Sequence, residues 1–353
     1  MKIYKLCLAS ALLPGCISPV VKRFTVFLLI LSPLGAMGGQ RSLEAPVPLS
    51  AEPELVFYDS IETNANGKSV LTGGVYEDAE QATRLRRLRK SLAPVPIDGY
   101  YHIRFVADAL AMKRANDFSD LLLTNEAFAS IRDRFRIEYV EGDADSMNCR
   151  NDVPQAPRII SCDMTYILSL GTAPAHMTAV FTSRGSGGAG GSFPVVSLDY
   201  PLPTMLHEML HTWTLNDEYI YSPSEADFYC DYPQILKGPN TSSFVTLETY
   251  VSDAEARDRH QADIPWVFDI QSGVPVTVSS TADSGEMNVL KLGTPMELAG
   301  AEPGLYPGSN CSRKLPSFRP YGIDTIMKTL STTWIPPIHQ KAVLAAIAKA
   351  AGW

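Results

Sequence analysis

The spacing of apolar residues changes period repeatedly along the chain. In Tyr100–Leu110 (YYHIRFVADAL), Ile103 and Phe105 alternate with polar neighbours, which predicts a strand. Lys113–Leu123 and Glu126–Phe135 carry apolar residues at helical spacing, and Arg136–Gly142 (RIEYVEG) returns to strand. A helix is expected around Met164–Leu170, a strand at Met177–Thr182 and another at Phe193–Leu198 (FPVVSL). Leu202, Leu206, Met209 or Leu210, and Trp213 then recur at helical spacing, predicting a core-packed helix over Leu202–Thr214. The chain ends in PPIHQKAVLAAIAKAAG, a helix that opens on prolines and stops at Gly352. Strands alternating with helices point to an α/β or α+β domain with a mixed sheet. Between about Tyr221 and Pro320 the pattern is weak and loop-rich. Earlier in the chain, Glu54–Val75 is rich in β-formers and turn residues, including Asn64–Lys68 (NANGK), so a small β segment is expected there. Ala93–Asp98 (APVPID) reads as a linker. No internal repeat is visible. The division expected is a leader over 1–38, a small β segment and linker over 39–95, and a main domain over 96–353.

The leader rests on two apolar blocks, Leu6–Val21 after Lys2 and Lys5, and Phe24–Leu34 after Lys22 and Arg23. The second has the basic start, short apolar centre and small-residue end of a secretory signal peptide, with cleavage expected near Ala36 or Gly38. Both blocks fall short of the ~20 residues that a membrane span needs, so no stable span is expected in the mature chain. LLPGC is a poor lipoprotein box, so a lipid anchor at Cys16 is the lesser reading and export the preferred one.

Export changes how the cysteines read. Cys7 and Cys16 would leave with the leader, and Cys149, Cys162, Cys230 and Cys311 would enter an oxidising compartment. Three pairings are open to them. One closes a short Cys149–Cys162 loop and ties distant segments through Cys230–Cys311. A cysteine zinc site is disfavoured, because paired Cys-x-x-Cys knuckles are missing.

At 353 residues, 45% hydrophobic and 19% charged, the chain suits a globular protein with one large domain or a large plus a small one. Its net charge of -8 argues against a nucleic-acid partner. The one basic run, Arg84–Lys90 (RLRRLRK), reads as a solvated helix or linker, or less readily as an exposed processing site. Arg184–Gly191 (RGSGGAGG) lacks the Lys-Ser/Thr of a phosphate-binding loop and reads as a mobile loop before an edge strand.

The chemistry concentrates in Thr204–Tyr219, TMLHEMLHTWTLNDEY. Residues four apart on a helix lie about 40° apart around its axis, one turn above each other. His207 and His211 can therefore offer ring nitrogens to one zinc ion, with Glu208 near enough to reach a metal-bound water without being a ligand. A catalytic zinc takes three protein ligands and one open position. Asp217, six residues beyond His211, is the preferred third ligand, with Glu218 as its substitute. A helix carrying two satisfied or surface histidines is the competing account.

His207–Asp217 resembles the extended motif of the metzincin zinc peptidases, with aspartate as third ligand. Asp217-Glu218-Tyr219 is similar to the secreted bacterial IgA-peptidase-like metallopeptidase family. Phe318–Lys328 (FRPYGIDTIMK) resembles that family's Arg-Pro…Ile-Met segment, which implies that Met327 is the packing methionine of a Met-turn beneath the zinc. FVADAL, EAFASIRDRFRIEYVE, Cys149-Arg150, Cys162-Asp163 and the glycine loop fit as well, so the resemblance covers roughly Tyr101–Ala350. It departs at Thr214, where metzincins place glycine, and in an abbreviated N-terminal β portion. The resemblance implies a metzincin-like zinc peptidase domain. Glu208 would then be the general base of peptide hydrolysis and zinc the Lewis acid, while Tyr219 would orient a ligand, assist the oxyanion or serve as a core tyrosine. The strand at Phe193–Leu198 is placed to pair its edge with an extended peptide. The function expected is that of an exported zinc endopeptidase acting on protein or peptide. A zinc-binding surface or adhesion protein without turnover is the alternative, and a structural protein with a chance motif is the third reading. The intact Glu208 favours the enzyme.

Overall fold

Three short strands, β1 (Ile61–Thr63), β2 (Ser69–Leu71) and β3 (Gly74–Tyr76), form an antiparallel sheet within the segment expected to be β-rich. The computed structural model describes these strands, Val95, and residues 97–154, 156–171, 173–191, 193–231, 233–245, 248–281 and 288–353. The chain divides into two compact units, Met1–Ala51 and Glu52–Trp353. The first unit, with the expected leader, Cys7 and Cys16, lies outside the described residues, as does the basic run Arg84–Lys90.

The main sheet is built from β4 (Tyr101–Ala107), β5 (Phe135–Glu141), β6 (Met177–Thr182), β7 (Gly188–Ala189) and β8 (Val195–Ser197), in the order β5-β4-β6-β8-β7. β4 runs parallel to β5 and β6, with Ile103 opposite Ile137 and Met177, and β6 runs parallel to β8. β7 is antiparallel to β8 at the sheet's edge, with Gly188 opposite Val196, so the sheet is mixed. The central strands are covered on both faces, as parallel strands require. Phe105 and Phe181 face one core, and Val106 and Val180 face the other. Arg104 breaks the apolar run of β4 yet is only 4% exposed. Its Nε donates to Glu138 at 2.8 Å and its Nη2 to the Ala173 carbonyl.

Three helices cover the first face: Met112–Thr124, Pro203–Trp213 and Pro337–Ala351. Leu206, Leu210 and Trp213 of the second meet Val343 and Ile347 of the third in one core. The closing helix stops at Gly352, whose left-handed φ of 71° suits a residue without a Cβ. On the opposite face, the helix Met164–Ser169 and the disulfide Cys149–Cys162 pack over Val106, Val180 and Val195. Cys230–Cys311 is also formed, across a sequence separation of 81. It stitches together the loop-rich stretch, whose β9–β15 (from Lys237–Gly238 to Ser317–Arg319) make two small antiparallel sheets.

Three expectations are corrected. Glu126–Phe135 is not a helix: two 3₁₀ turns, Glu126–Phe128 and Arg132–Arg134, lead straight into β5. Apolar residues three or four apart in so short a window serve either geometry. Phe193–Leu198 cannot offer an edge, because β8 is hydrogen-bonded to β6 on one side and β7 on the other. The glycine run is not merely a loop, since Gly188–Ala189 is itself the edge strand.

Candidate metal centre

The helix that carries the histidines opens on Pro203 and ends in a Schellman turn. The Leu215 N–H bonds the Leu210 carbonyl and the Thr214 N–H bonds that of His211, each at 3.0 Å. This turn places Thr214 where glycine is usual, and its φ of 132° is indeed one that L residues rarely adopt. The reversal sends the chain back along the helix, so that Asp217 faces His207 and His211.

Three atoms converge there. Asp217 Oδ1 lies 3.0 Å from His207 Nε2 and 3.2 Å from His211 Nε2. The two imidazole nitrogens are 3.1 Å apart. The far side of each ring settles what these atoms carry. His207 Nδ1 is 2.8 Å from the Ile326 carbonyl and His211 Nδ1 is 2.8 Å from that of Leu215. A carbonyl only accepts, so each Nδ1 holds the hydrogen and each Nε2 of a neutral ring presents a lone pair. Asp217 Oδ2 accepts from Tyr221 Oη at 2.8 Å, while the buried Oδ1 has no hydrogen-bond donor. Two nitrogen lone pairs and a carboxylate oxygen facing one another repel unless a cation lies among them. Tetrahedral bonds of about 2.0–2.1 Å would set ligand atoms about 3.3 Å apart, close to the triangle seen here.

The cluster of His207, Glu208 and His211 could hold a metal ion, with their ligating atoms all within 4.8 Å of one another. Asp217 Oδ1, 3.0 and 3.2 Å from the two imidazole nitrogens, is also close enough to belong to such a group. Burial disfavours the charged forms of His211 and Asp217, but their mutual attraction prevails. His211 is depressed by burial, then lifted by Asp217 to about 9. Asp217 is raised by burial, then held well below the usual carboxylate range by His211 and His207. Where no metal is bound, a proton serves as the neutralising cation.

The surroundings fix this arrangement. Met327 is fully buried in the main core, and its carbonyl accepts from the Glu218 N–H at 2.8 Å, next to the Ile326 carbonyl that holds His207. Tyr219 lies against His207, with ring centroids 6.3 Å apart and planes at 29°. Glu218 does not stand in as a ligand. Its side chain turns away into a buried site, 2.7 Å from His339 Nε2, accepting from Thr325 Oγ1 at 2.6 Å and Asn240 Nδ2 at 3.1 Å.

Sequence reasoning passed over four contributing residues. Tyr221, four residues past Asp217, holds its second oxygen. Gly188 and Gly190 let the edge strand lie on the site: a Cβ on Gly188 would stand 2.7 Å from Glu208 Oε1, and one on Gly190 would stand 2.6 Å from His211 Cδ2. Arg158, inside the Cys149–Cys162 loop, donates from Nη2 to Tyr219 Oη and from Nε to Glu225 Oε1 at 2.7 Å. Only the glycines left a mark in the sequence, as a run that precedes the motif by one strand. Neither any protein-family model nor any curated protein matches the chain.

Proposed function

We propose that this chain is an exported zinc-dependent endopeptidase of metzincin-like fold, related to the IgA-peptidase-like metallopeptidases. The observation that carries the reading is the triangle of His207 Nε2, His211 Nε2 and Asp217 Oδ1, three potential ligand atoms within 3.2 Å of one another, with the buried carboxylate of Glu208 next to His207 in sequence. Two nitrogens and one oxygen suit zinc and leave a fourth position open, as a catalytic site needs. Also in favour are the antiparallel edge strand over the site, the Schellman turn before Asp217 and the Ile326–Met327 segment beneath His207. Both disulfides accord with export, and among the described residues no helix is long and apolar enough to cross a membrane.

When bound, zinc supplies Lewis acidity, activating water and polarising the scissile carbonyl. Glu208 accepts the proton of the attacking water and delivers it to the departing amine. Gly188 and Gly190 shape the wall against which Glu208 is held. Ile326 and Leu215 keep the two imidazoles in the tautomer that ligates. The substrate class is protein or peptide.

Metal content and cleavage separate the readings. Wild-type protein should carry about one zinc per chain, His211→Ala none, and Glu208→Gln a full complement while losing cleavage of a random peptide pool. No cleavage by the zinc-loaded wild type would leave a metal-binding surface protein, and cleavage unchanged in zinc-bound Glu208→Gln would show that the zinc site is not what cleaves. Absence of zinc from the wild type, purified without chelator, would remove the metal centre altogether.

A further inference from the structure

Arg158 belongs to no part of the metal triangle, yet the fold takes trouble to bring it there. The Cys149–Cys162 disulfide and the Arg150–Ser161 bridge close the loop that carries it. Asn151 Nδ2 donates to the carbonyls of Pro157 and Ile159 on either side of it, and to that of Ser186 in the glycine run. The Arg158 carbonyl accepts from the Gly188 N–H at 3.2 Å, so the loop is tied to the edge strand above the site. From this support the guanidinium reaches inward, with Cζ 5.5 Å from the centre of the Tyr219 ring. Glu225, capping the short helix Pro223–Tyr229, holds it from behind.

We propose that Arg158 is a positioning residue for peptide hydrolysis, donating to Tyr219 Oη so that the hydroxyl presents its own hydrogen to the oxygen of the attacked carbonyl. The proposal rests on the zinc-peptidase reading. A phenol oxygen has one hydrogen and lone pairs to share. With Arg158 donating to that oxygen, the Tyr219 hydrogen must point away from the cation. Asp217 Oδ2 already accepts from Tyr221. The Tyr219 ring lies along that of His207, beside the triangle where charge would develop on the carbonyl oxygen. Arg158 cannot readily serve as a direct substrate reader, because Glu225 and Tyr219 already engage it from two sides.

The test is a double-mutant cycle on zinc-loaded protein, using a fluorogenic peptide chosen from a random pool by the wild type, and calorimetric binding of a phosphinic isostere of that peptide as transition-state mimic. Loss of one oxyanion donor costs about a hundredfold or more in kcat, so Tyr219→Phe should fall by roughly that factor. Arg158→Met should fall at least tenfold in kcat with KM little changed, and Arg158→Met in the Tyr219→Phe background should cost nothing further. Phosphinate affinity should drop in parallel, and Arg158→Lys should recover part of both losses. Full activity in Arg158→Met, penalties that multiply in the double variant, or a rise in KM alone would each overturn the inference. Should Arg158→Met fail to keep its zinc, Arg158→Lys decides: phosphinate affinity weaker than in wild type but tighter than in Tyr219→Phe is expected. Affinity in that variant no better than in Tyr219→Phe, or Tyr219→Phe itself as tight as wild type, would sink the role. Glu208→Gln, run alongside, separates the levels. If it cleaves like the wild type, the peptidase reading falls and takes Arg158 with it. If it is dead while Arg158→Met is fully active, only the role of Arg158 fails.

Discussion

Adjacent side chains after the site helix part company. Asp217 turns to the imidazoles and Glu218 to His339. The sequence offered both as third ligand, and which of them faces the imidazoles depends on a turn whose path no local pattern reveals. His207, Glu208 and His211 were legible, since helical geometry alone puts the two imidazoles on one face. Tyr221 was not, because its role exists only once the chain has doubled back. Thr214 marks the turn itself. Its side chain occupies a backbone conformation that glycine takes freely, and a β-branched residue there stores on the order of 1–3 kcal/mol of strain. Part of that is recovered in the unfolded state, where glycine is the more flexible residue. Thr214→Gly should therefore raise stability by about 1 kcal/mol without altering zinc content. Urea unfolding reads the first and metal analysis the second. A loss of stability would mean that the threonine's contacts outweigh its backbone cost.

Among the elements, those with a long, single period were readable: the helices Met112–Thr124, Pro203–Trp213 and Pro337–Ala351 and the strand Met177–Thr182 fall where the spacing places them. What the spacing could not supply was order across the sheet. β8 looks like an edge strand only until β7, two residues long and made of Gly188 and Ala189, is seen to cover it. Such a strand has no apolar alternation to betray it. Gly188 and Gly190, just past the strand, serve close approach instead, and of the two only Gly190 would press on an imidazole. A methyl on Gly188 would meet Glu208 Oε1 at 2.7 Å and Thr204 Cγ2 at 2.9 Å, whereas one on Gly190 would meet His211 Cδ2 at 2.6 Å ahead of Glu208 Oε2 at 2.9 Å. Gly188→Ala should therefore lower kcat with zinc still bound, by displacing the base. Gly190→Ala should weaken zinc by about tenfold or more, the scale on which disturbed ligand support acts. Competition against a chelator, beside turnover of the same peptide, distinguishes them. Equal effects of both variants on metal affinity would show that β7 moves as a unit instead.

Across the whole molecule, the five-stranded sheet and the closing helix are joined at their lower rim by a histidine with no part in the metal centre. His176 precedes β6, and its Nδ1 accepts from the His102 N–H of β4 at 2.9 Å. It also hydrogen-bonds the backbone of Ala350, in the last turn of the closing helix. Its ring stacks on Tyr101 with centroids 4.8 Å apart, and Tyr101 Oη accepts from Trp213 Nε1 of the site helix. A protonated ring has no lone pair left for His102, so the junction exists only with His176 neutral. Burial, and then the neighbouring His102, hold its pKa down to about 4 from an ordinary 6.5. In the unfolded chain the same ring takes up its proton near pH 6.5, so acidification favours unfolding. Stability should decline as the pH drops from about 6.5 and this contribution should level off below about 4, the limits set by the unfolded and folded values. Asp98, kept below its usual range by the hydrogen bond to His102, adds a further loss at still lower pH. His176→Asn retains an acceptor for the His102 N–H but does not titrate. Urea midpoints taken from pH 7 to pH 4 should therefore fall less steeply in that variant than in wild type, both saturated with zinc. Parallel curves would show that the acid sensitivity arises elsewhere and that the rim junction tolerates a charged ring.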